Sequence, residues 1–343
     1  MHIVFYSTNS NSFDGADYKI RSVPSRQSEW EQLARVHGEH RITLATQLPG
    51  SFLLDLSGNQ IAQKAAGVDY VILKGKTAAA VAKEIAALKA DLAVSVSFWE
   101  RPFDYLALND ALIAQELRKA GIRTICHSAQ SEMTCFDKSL TRDRLRAAGF
   151  ATAESVFVKR ELYWCERGNS AIENNVYKEY IFAKLQELHY PVIVKPAYGL
   201  SSYSMLKAVS PKQVIACLNS GKTKTDSLVE EFIEGEQFGT EIYGTDGNYA
   251  VMPPFMFSVD KWGITSPKQG IKIGPLVSDL CRKKYKLDAL EEQLQHLARE
   301  LELQGIAQVD LVFAQGTWYI IEVNPRLSGM SQTYAAALGI PPG

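Results

Sequence analysis

Two apolar segments late in the chain each carry an acid at a position where a charge is costly to bury. Asp310 lies in "AQVDLVF" and Glu322 in "WYIIEVN", with Asn324 two residues beyond Glu322 and Arg326 two further on. Such residues need a partner, because an unpaired ion loses most of its hydration inside a protein. Alternation along a strand puts Glu322 and Asn324 on one face, and a hairpin turning at "AQGT" lets Asp310 face both. Three oxygen donors converging on one side of a hairpin suit Mg²⁺, a hard cation that prefers carboxylate and phosphate oxygens. A buried hydrogen-bonded network, or a salt bridge to Arg326, would satisfy the same acids without a metal.

Four other segments offer complementary chemistry. In "VIVKPAYGLSSYS", Lys195 ends an apolar strand, and the loop after it, with Ser201 and Ser202, has N–H groups and hydroxyls that could surround a phosphate. The lysine precedes the glycine, so this is not a P-loop, and Lys195 could also reach solvent along its own stem. "LVEEFIEG" places Glu230, Glu231, Phe232 and Ile233 after an apolar run, where backbone groups could meet an adenine edge while the apolar side chains cover the ring. An edge strand with surface acids reads the same way. Lys138 begins the basic stretch "KSLTRDRLR", which alone would be a solvated helix face. Lys268 and Lys272, in "DKWGITSPKQGIKIGP", are candidates to approach a terminal phosphate, although a solvated basic loop looks alike. His37 and His40 have no neighbours in sequence that would complete a metal site.

The elements that must position these residues fall into three regions. Up to about residue 126, apolar runs at 2–6, 41–46, 69–73, 91–97 and 122–128 alternate with helical stretches at 76–90 and 109–121. That alternation predicts a parallel sheet covered on both faces. "STNSNSFDG" follows the first run in place of GxGxxG, which disfavours a dinucleotide fold and leaves a surface or substrate-contacting loop. The second region opens with a helix ending at Gly149, then a strand at "ESVFVK", a polar insertion to about 185 and the Lys195 strand. "SLVEEFIEGEQFGTEIYG" holds two strands parted at Gly235. The third region has a long loop from about 260 to 284 and a helix at 287–305 with Leu290, Leu294, Leu297 and Leu301 on one face. Boundaries are expected at 1–126, 127–228 and 229–343.

The totals narrow the setting. A chain of 343 residues is long enough for two or three lobes, and a net charge of −1 gives no field toward nucleic acid or an anionic membrane. Five cysteines with no CxxC pair point to a reducing compartment, and the N-terminus turns polar after six residues, unlike a signal peptide. A cytoplasmic protein that binds neither nucleic acid nor membrane is expected.

In chain order the pieces are Lys138, Lys195 with its Gly/Ser loop, Glu230 to Ile233, Asp310, and Glu322-x-Asn324-x-Arg326. Together, from about residue 127 onward, they resemble the ATP-grasp superfamily of carboxylate–amine ligases, in particular its D-alanine–D-alanine ligase-like and amino-acid ligase branches. The resemblance implies an α/β protein with the ATP-grasp fold: an N-terminal parallel-sheet domain, a small α+β lid and a C-terminal antiparallel-sheet domain. It further implies that Lys138 and Lys195 contact the phosphates of ATP, and that Ser201 and Ser202 belong to a mobile cover. Glu230 would meet the adenine, with Glu231, Phe232 and Ile233 as hinge. Asp310, Glu322 and Asn324 would hold Mg²⁺, with Mn²⁺ an alternative, and Arg326 would steady the reacting carboxylate. Lys195, Lys272 and Arg326 are the expected catalytic set.

The implied reaction joins a small acid, such as an amino acid, to an amine and yields ADP and phosphate. A bicarbonate-using enzyme of biotin-carboxylase type and a non-catalytic nucleotide binder are the alternatives. Relatives are commonly homodimers, and nothing in this sequence decides the point. Some residues depart from the pattern. Gln237 replaces the expected ribose-binding acid and leaves Glu236 or Glu241 for that contact, Ser204 stands at a usual glycine, and Gln308 occupies the place of an arginine in D-alanine ligases. The chain also ends at "LGIPPG", earlier than most relatives.

Overall fold

Strand and helix alternate through the first third of the chain and build one parallel sheet. The computed structural model describes residues 1–8, 27–47, 65–96, 106–198, 205–220, 225–260, 263–265 and 271–338. Strands β1 (His2–Ser7), β2 (Arg41–Gln47), β3 (Val68–Leu73), β4 (Leu92–Ser95) and β5 (Arg123–Ile125) lie in the order β3-β2-β1-β4-β5. Every pairing in this sheet is parallel. Helices α1 (Gln27–Val36), α2 (Ala78–Ala87) and α3 (Leu106–Lys119) connect them. The apolar runs alternate inward side chains, and Val4 and Tyr6 pack with Val81, Ile85, Ile113 and Leu117.

The segment expected as one helix up to Gly149 is two, α4 (Ala129–Phe136) and α5 (Lys138–Ala147). Asp137 makes the break. Its carboxylate accepts hydrogen bonds from the N–H groups of Ser139 at 2.8 Å and Leu140 at 3.2 Å, capping a new helix rather than continuing the old one. Lys138 therefore opens α5, and its own N–H donates to Ala197 O at 3.0 Å, beside the Lys195 strand.

A second sheet is antiparallel, with β6 (Ser155–Val158), β7 (Val192–Pro196), β8 (Leu206–Ala208) and β9 (Ser227–Glu231) in the order β6-β9-β7-β8. The polar insertion contains helices α6 (Arg160–Tyr163), α7 (Cys165–Gly168) and α8 (Val176–Glu187); α9 (Pro211–Asn219) follows β8. Ile181 and Leu185 of α8 pack with Val192, Val194 and Val229 of the sheet.

The third sheet contains β10 (Glu236–Thr245), β11 (Asn248–Val251), β12 (Phe255–Phe257), β13 (Lys272–Ile273), β14 (Gly305–Ala314) and β15 (Thr317–Asn324). Its order is β13-β12-β10-β14-β15, with β11 also on β10, and its pairings are antiparallel. The two strands expected around Gly235 both form, but they belong to different sheets, and the change occurs at 232–235. β9 runs through positions 228 and 229. The expected long loop before residue 284 ends in a helix, α10 (Asp279–Tyr285), because Ser278 caps it by accepting from Cys281 N–H at 3.3 Å. In α11 (Leu287–Glu300) the leucine face is buried as the spacing predicts. A final helix, α12 (Gly329–Leu338), follows β15. Among the described residues no helix is long and apolar enough to cross a membrane.

Candidate active site

Residues opposite one another in an antiparallel ladder share a face. Asp310 pairs with Glu322 and Gln308 with Asn324, so β14 and β15 present four polar side chains on one side of the sheet. β10 extends both rows, since Gly239 pairs with Asp310 and Glu241 with Gln308. The register shifts between Asp310 and Leu311, which pairs with Ile320, so Ile321 is an extra residue at the edge of the site.

Charge on this face is balanced locally. Lys138 Nζ, at the start of α5, lies 3.1 Å from Glu322 Oε1. Lys195 Nζ lies 2.5 Å from Glu230 Oε1, and the lysine is only 5% exposed. Register explains the second pair: Ile193 of β7 stands opposite Glu230 of β9, so Lys195, two residues on, meets Glu230 on the diagonal. Gln308 Nε2 donates to Asp310 Oδ1 at 2.5 Å, and Asn324 Nδ2 donates to Gln308 Oε1 at 3.3 Å. Arg326 Nη2 donates to Asn324 Oδ1 at 3.4 Å.

The two acids titrate apart. Burial and the neighbouring Glu322 charge push the Asp310 carboxyl up to about 7, against the opposing pull of Gln308, Arg326 and Lys195. Burial also raises Glu322, but Lys138 and Lys195 outweigh it and hold this carboxyl below its usual range. Two carboxylates on one row, Glu322 matched by Lys138 and Lys195 and Asp310 pushed up by burial and by its neighbour's charge, bring oxygen donors to one place. With the Asn324 oxygen beside them, they fit a hard divalent cation. Among the described residues the acids themselves do not form a group of three metal-ligating side chains, so the carboxamide is needed as the third donor.

A cleft opens between the second and third sheets. Its walls include Lys138, Lys195, Glu230, Phe232, Asp310 and Glu322, and Glu231 and Ile233 also line it. The hinge spends part of its backbone on the protein: Glu231 N–H donates to Glu154 O at 2.8 Å and Phe232 N–H to Pro191 O at 2.9 Å. Phe257 forms a wall that only a glycine permits. A Cβ on Gly239 would sit 2.1 Å from Phe257 Cζ, so the missing side chain is what lets the ring lie over β10 beside Asp310.

Other expected site residues are placed elsewhere. Glu236 does not line the cleft; its carboxylate accepts from Tyr285 OH at 2.9 Å and Lys284 Nζ at 3.2 Å, because α10 occupies the space where a loop was expected. Glu241 is also outside the cleft lining and fully buried; Gln237 does line the cleft and donates to Gly263 O at 2.5 Å. Lys272 is not among the cleft-lining residues and donates to Thr333 Oγ1 at 3.1 Å and Gly329 O at 3.3 Å in α12. Burial lowers its pKa, while Glu241 and Asp310 oppose that shift. Asn324 lies one row beyond the cleft lining, and Arg326, past the end of β15, is not among the lining residues. Ser201, Ser202, Ser204 and Lys268 lie outside the described residues.

The sequence from residue 135 to 330 matches the family model described as an ATP-grasp domain. The chain belongs to the ATP-grasp family. The matched span contains Lys138, Lys195, Glu230, Asp310, Glu322, Asn324 and Arg326. The arginine-specific large chain of carbamoyl phosphate synthase from Geobacillus stearothermophilus is 28% identical over 170 residues, covering 50% of this chain and 16% of that protein. The ATP-grasp chain thus spans about one sixth of the length of that relative. D-alanine--D-alanine ligase from Clostridium beijerinckii is 25% identical over 240 residues, covering 67% of this chain and 72% of the ligase. The crystal structure of an L-amino acid ligase from Bacillus licheniformis superposes with a TM-score of 0.62 at 19% identity, over 97% of this chain and 68% of that one. This similarity extends the ATP-grasp fold to the N-terminal parallel sheet, which precedes the matched span.

Proposed function

We propose that this ATP-grasp protein is a ligase that activates a small carboxylic acid with ATP and joins it to an amine. One observation carries the reading: the Asp310–Glu322 row faces a cleft that also holds Lys138 and Lys195, so acids and phosphate-binding cations meet at one place. Lys138 and Lys195 hold the nucleotide phosphates, and Phe232 and Ile233 cover the adenine at the passage between sheets. Asp310, Glu322 and Asn324 would hold Mg²⁺, which when bound would supply the charge that lets two anions approach one another. Arg326 orients the acid. The acid's carboxylate oxygen attacks the γ-phosphorus and ADP leaves. The amine nitrogen then attacks the acyl carbon, Arg326 faces the oxyanion that develops, and the bond to phosphate breaks as the nitrogen gives up a proton to solvent.

The acid is an amino acid on this reading, because two of the three relatives named are ligases of amino acids. A phosphate-release screen with ATP over the twenty amino acids, singly and in pairs, tests the proposal. Release that requires both an acid and an amine supports a ligase. Release that requires only bicarbonate, or none with any pair, overturns it.

A further inference from the structure

The row Glu241–Gln308–Asn324 lies next to the row Gly239–Asp310–Glu322 on the same face, and it places a third carboxylate beside the site. Glu241 is fully buried, and three hydroxyls satisfy it. Ser328 Oγ and Ser331 Oγ each donate to Oε1 at 2.7 Å, and Tyr243 OH donates to Oε2 at 2.5 Å. Ser328 Oγ in turn accepts from Met330 N–H at 2.9 Å.

These bonds have a topological meaning. The chain leaves β15 at Asn324 and must cross β14 to reach Glu241 on β10, a distance of about 10 Å for two strand spacings. Arg326 is carried in that crossing. The strap is fastened at its start by Arg326 N–H on Asn324 O at 2.8 Å and at its far end by the Glu241 carboxylate. Tyr334 OH, donating to Pro253 O at 2.7 Å, and Lys272, donating to Gly329 O, hold the helix that follows. A buried carboxylate with charge-assisted bonds from three hydroxyls is a strong anchor, and it serves no packing need that an apolar side chain would not meet.

We propose that Glu241 is a positioning residue for Arg326, fixing through Ser328 and Ser331 the strap that carries the guanidinium beside the Asp310–Glu322 row. What Arg326 does there rests on the ligase reading above; the anchoring itself does not. The variants Glu241→Gln and Ser328→Ala/Ser331→Ala test it in the full chain. Backbone amide exchange of the 325–331 peptide should accelerate about tenfold or more in both. Exchange in 305–324 and the affinity for MgADP should stay unchanged. With the acid and amine selected by the screen, kcat/KM should fall about 100-fold in Glu241→Gln, and combining it with Arg326→Ala should add little to the loss from Arg326→Ala alone.

Unchanged exchange in the strap overturns the proposal. Loss of MgADP binding together with faster exchange in 305–324 also overturns it, by showing a general structural role, and so do fully additive losses. A wild-type protein that binds MgADP, loosens its strap in Glu241→Gln and yet turns over no pair would sink the ligase reading and leave the anchor standing.

Discussion

Lys138 Nζ sits 3.1 Å from Glu322 Oε1, so a cation expected at the phosphates and an acid expected at the metal neutralise one another on one wall of the cleft. Replacing Glu322 by Gln keeps the shape and removes the charge that pairs with Lys138 and that, on the proposed reading, a divalent cation would use. Turnover of the selected acid–amine pair should drop by about 100-fold or more, with far-ultraviolet dichroism unaltered and the thermal midpoint lowered only as far as the lost Lys138 ion pair requires. Full activity in Glu322→Gln would leave the hairpin without a role in the chemistry.

Asp310 predicts a pH signature. In the fold its carboxyl titrates at about 7, against about 3.9 in an unfolded chain. Between those values the folded state retains a proton that the unfolded state has released, so stability falls as pH rises through this window and is unaffected below it. Asp310→Asn cannot ionise, and its stability relative to wild type should rise from pH 4 to pH 8 by as much as about 4 kcal/mol. Urea midpoints for both proteins at pH 4.5, 6 and 8 check this; a difference that does not vary with pH contradicts the electrostatics of the row.

His127 carries the opposite slope. Its Nδ1 accepts Gln304 N–H at 3.0 Å, so the ring proton is on Nε2, which donates to Ile306 O at 2.8 Å. Burial lowers this histidine to about 4, against about 6.5 when unfolded. As pH falls through that window the unfolded chain takes up a proton that the folded one refuses, and stability is lost, by up to about 3 kcal/mol. His127→Asn should flatten the acid limb between pH 6.5 and 4 while costing stability at pH 8. An acid limb of the same steepness in that variant would place the titration elsewhere.

Gly239→Ala tests the Phe257 wall. The new methyl would fall within 2.1 Å of the ring, so the ring must move, at a cost of about 1–3 kcal/mol in stability. Because the ring lines the cleft, MgADP affinity should also weaken about tenfold, read by titration calorimetry. Unchanged affinity alongside reduced stability would mean that the ring shapes the sheet and not the nucleotide site.

How much of this was legible in the sequence depended on distance along the chain. Asp310 and Glu322 could be set face to face because a short turn fixes their register, and the leucine face of α11 because its spacing is local. Lys195 and Glu230 were each visible, but their meeting on a diagonal needed the β7–β9 pairing. The break at Asp137 was hidden because helical spacing continues across it, although an aspartate two residues before the Ser139 N–H was a capping signal. The bonds of Glu241 to Ser328 and Ser331 were hidden because those residues are 87 and 90 positions away. Glu236 is engaged for a related reason: α10 forms at the end of the stretch expected as a loop, and Tyr285 at its close donates to the acid.

The passage from β9 to β10 at 232–235 separates the two ion pairs of the cleft. Lys195 and Glu230 both ride on the second sheet, whereas Lys138 leads the helix that packs on β15 and bonds to Glu322 of that strand. If the smaller sheet swings about this passage, the Lys195–Glu230 pair travels with it intact. Lys138, whose N–H is bonded to Ala197 O beside that sheet and whose ammonium is bonded to Glu322 of the other, is the tether that any widening of the gap must strain.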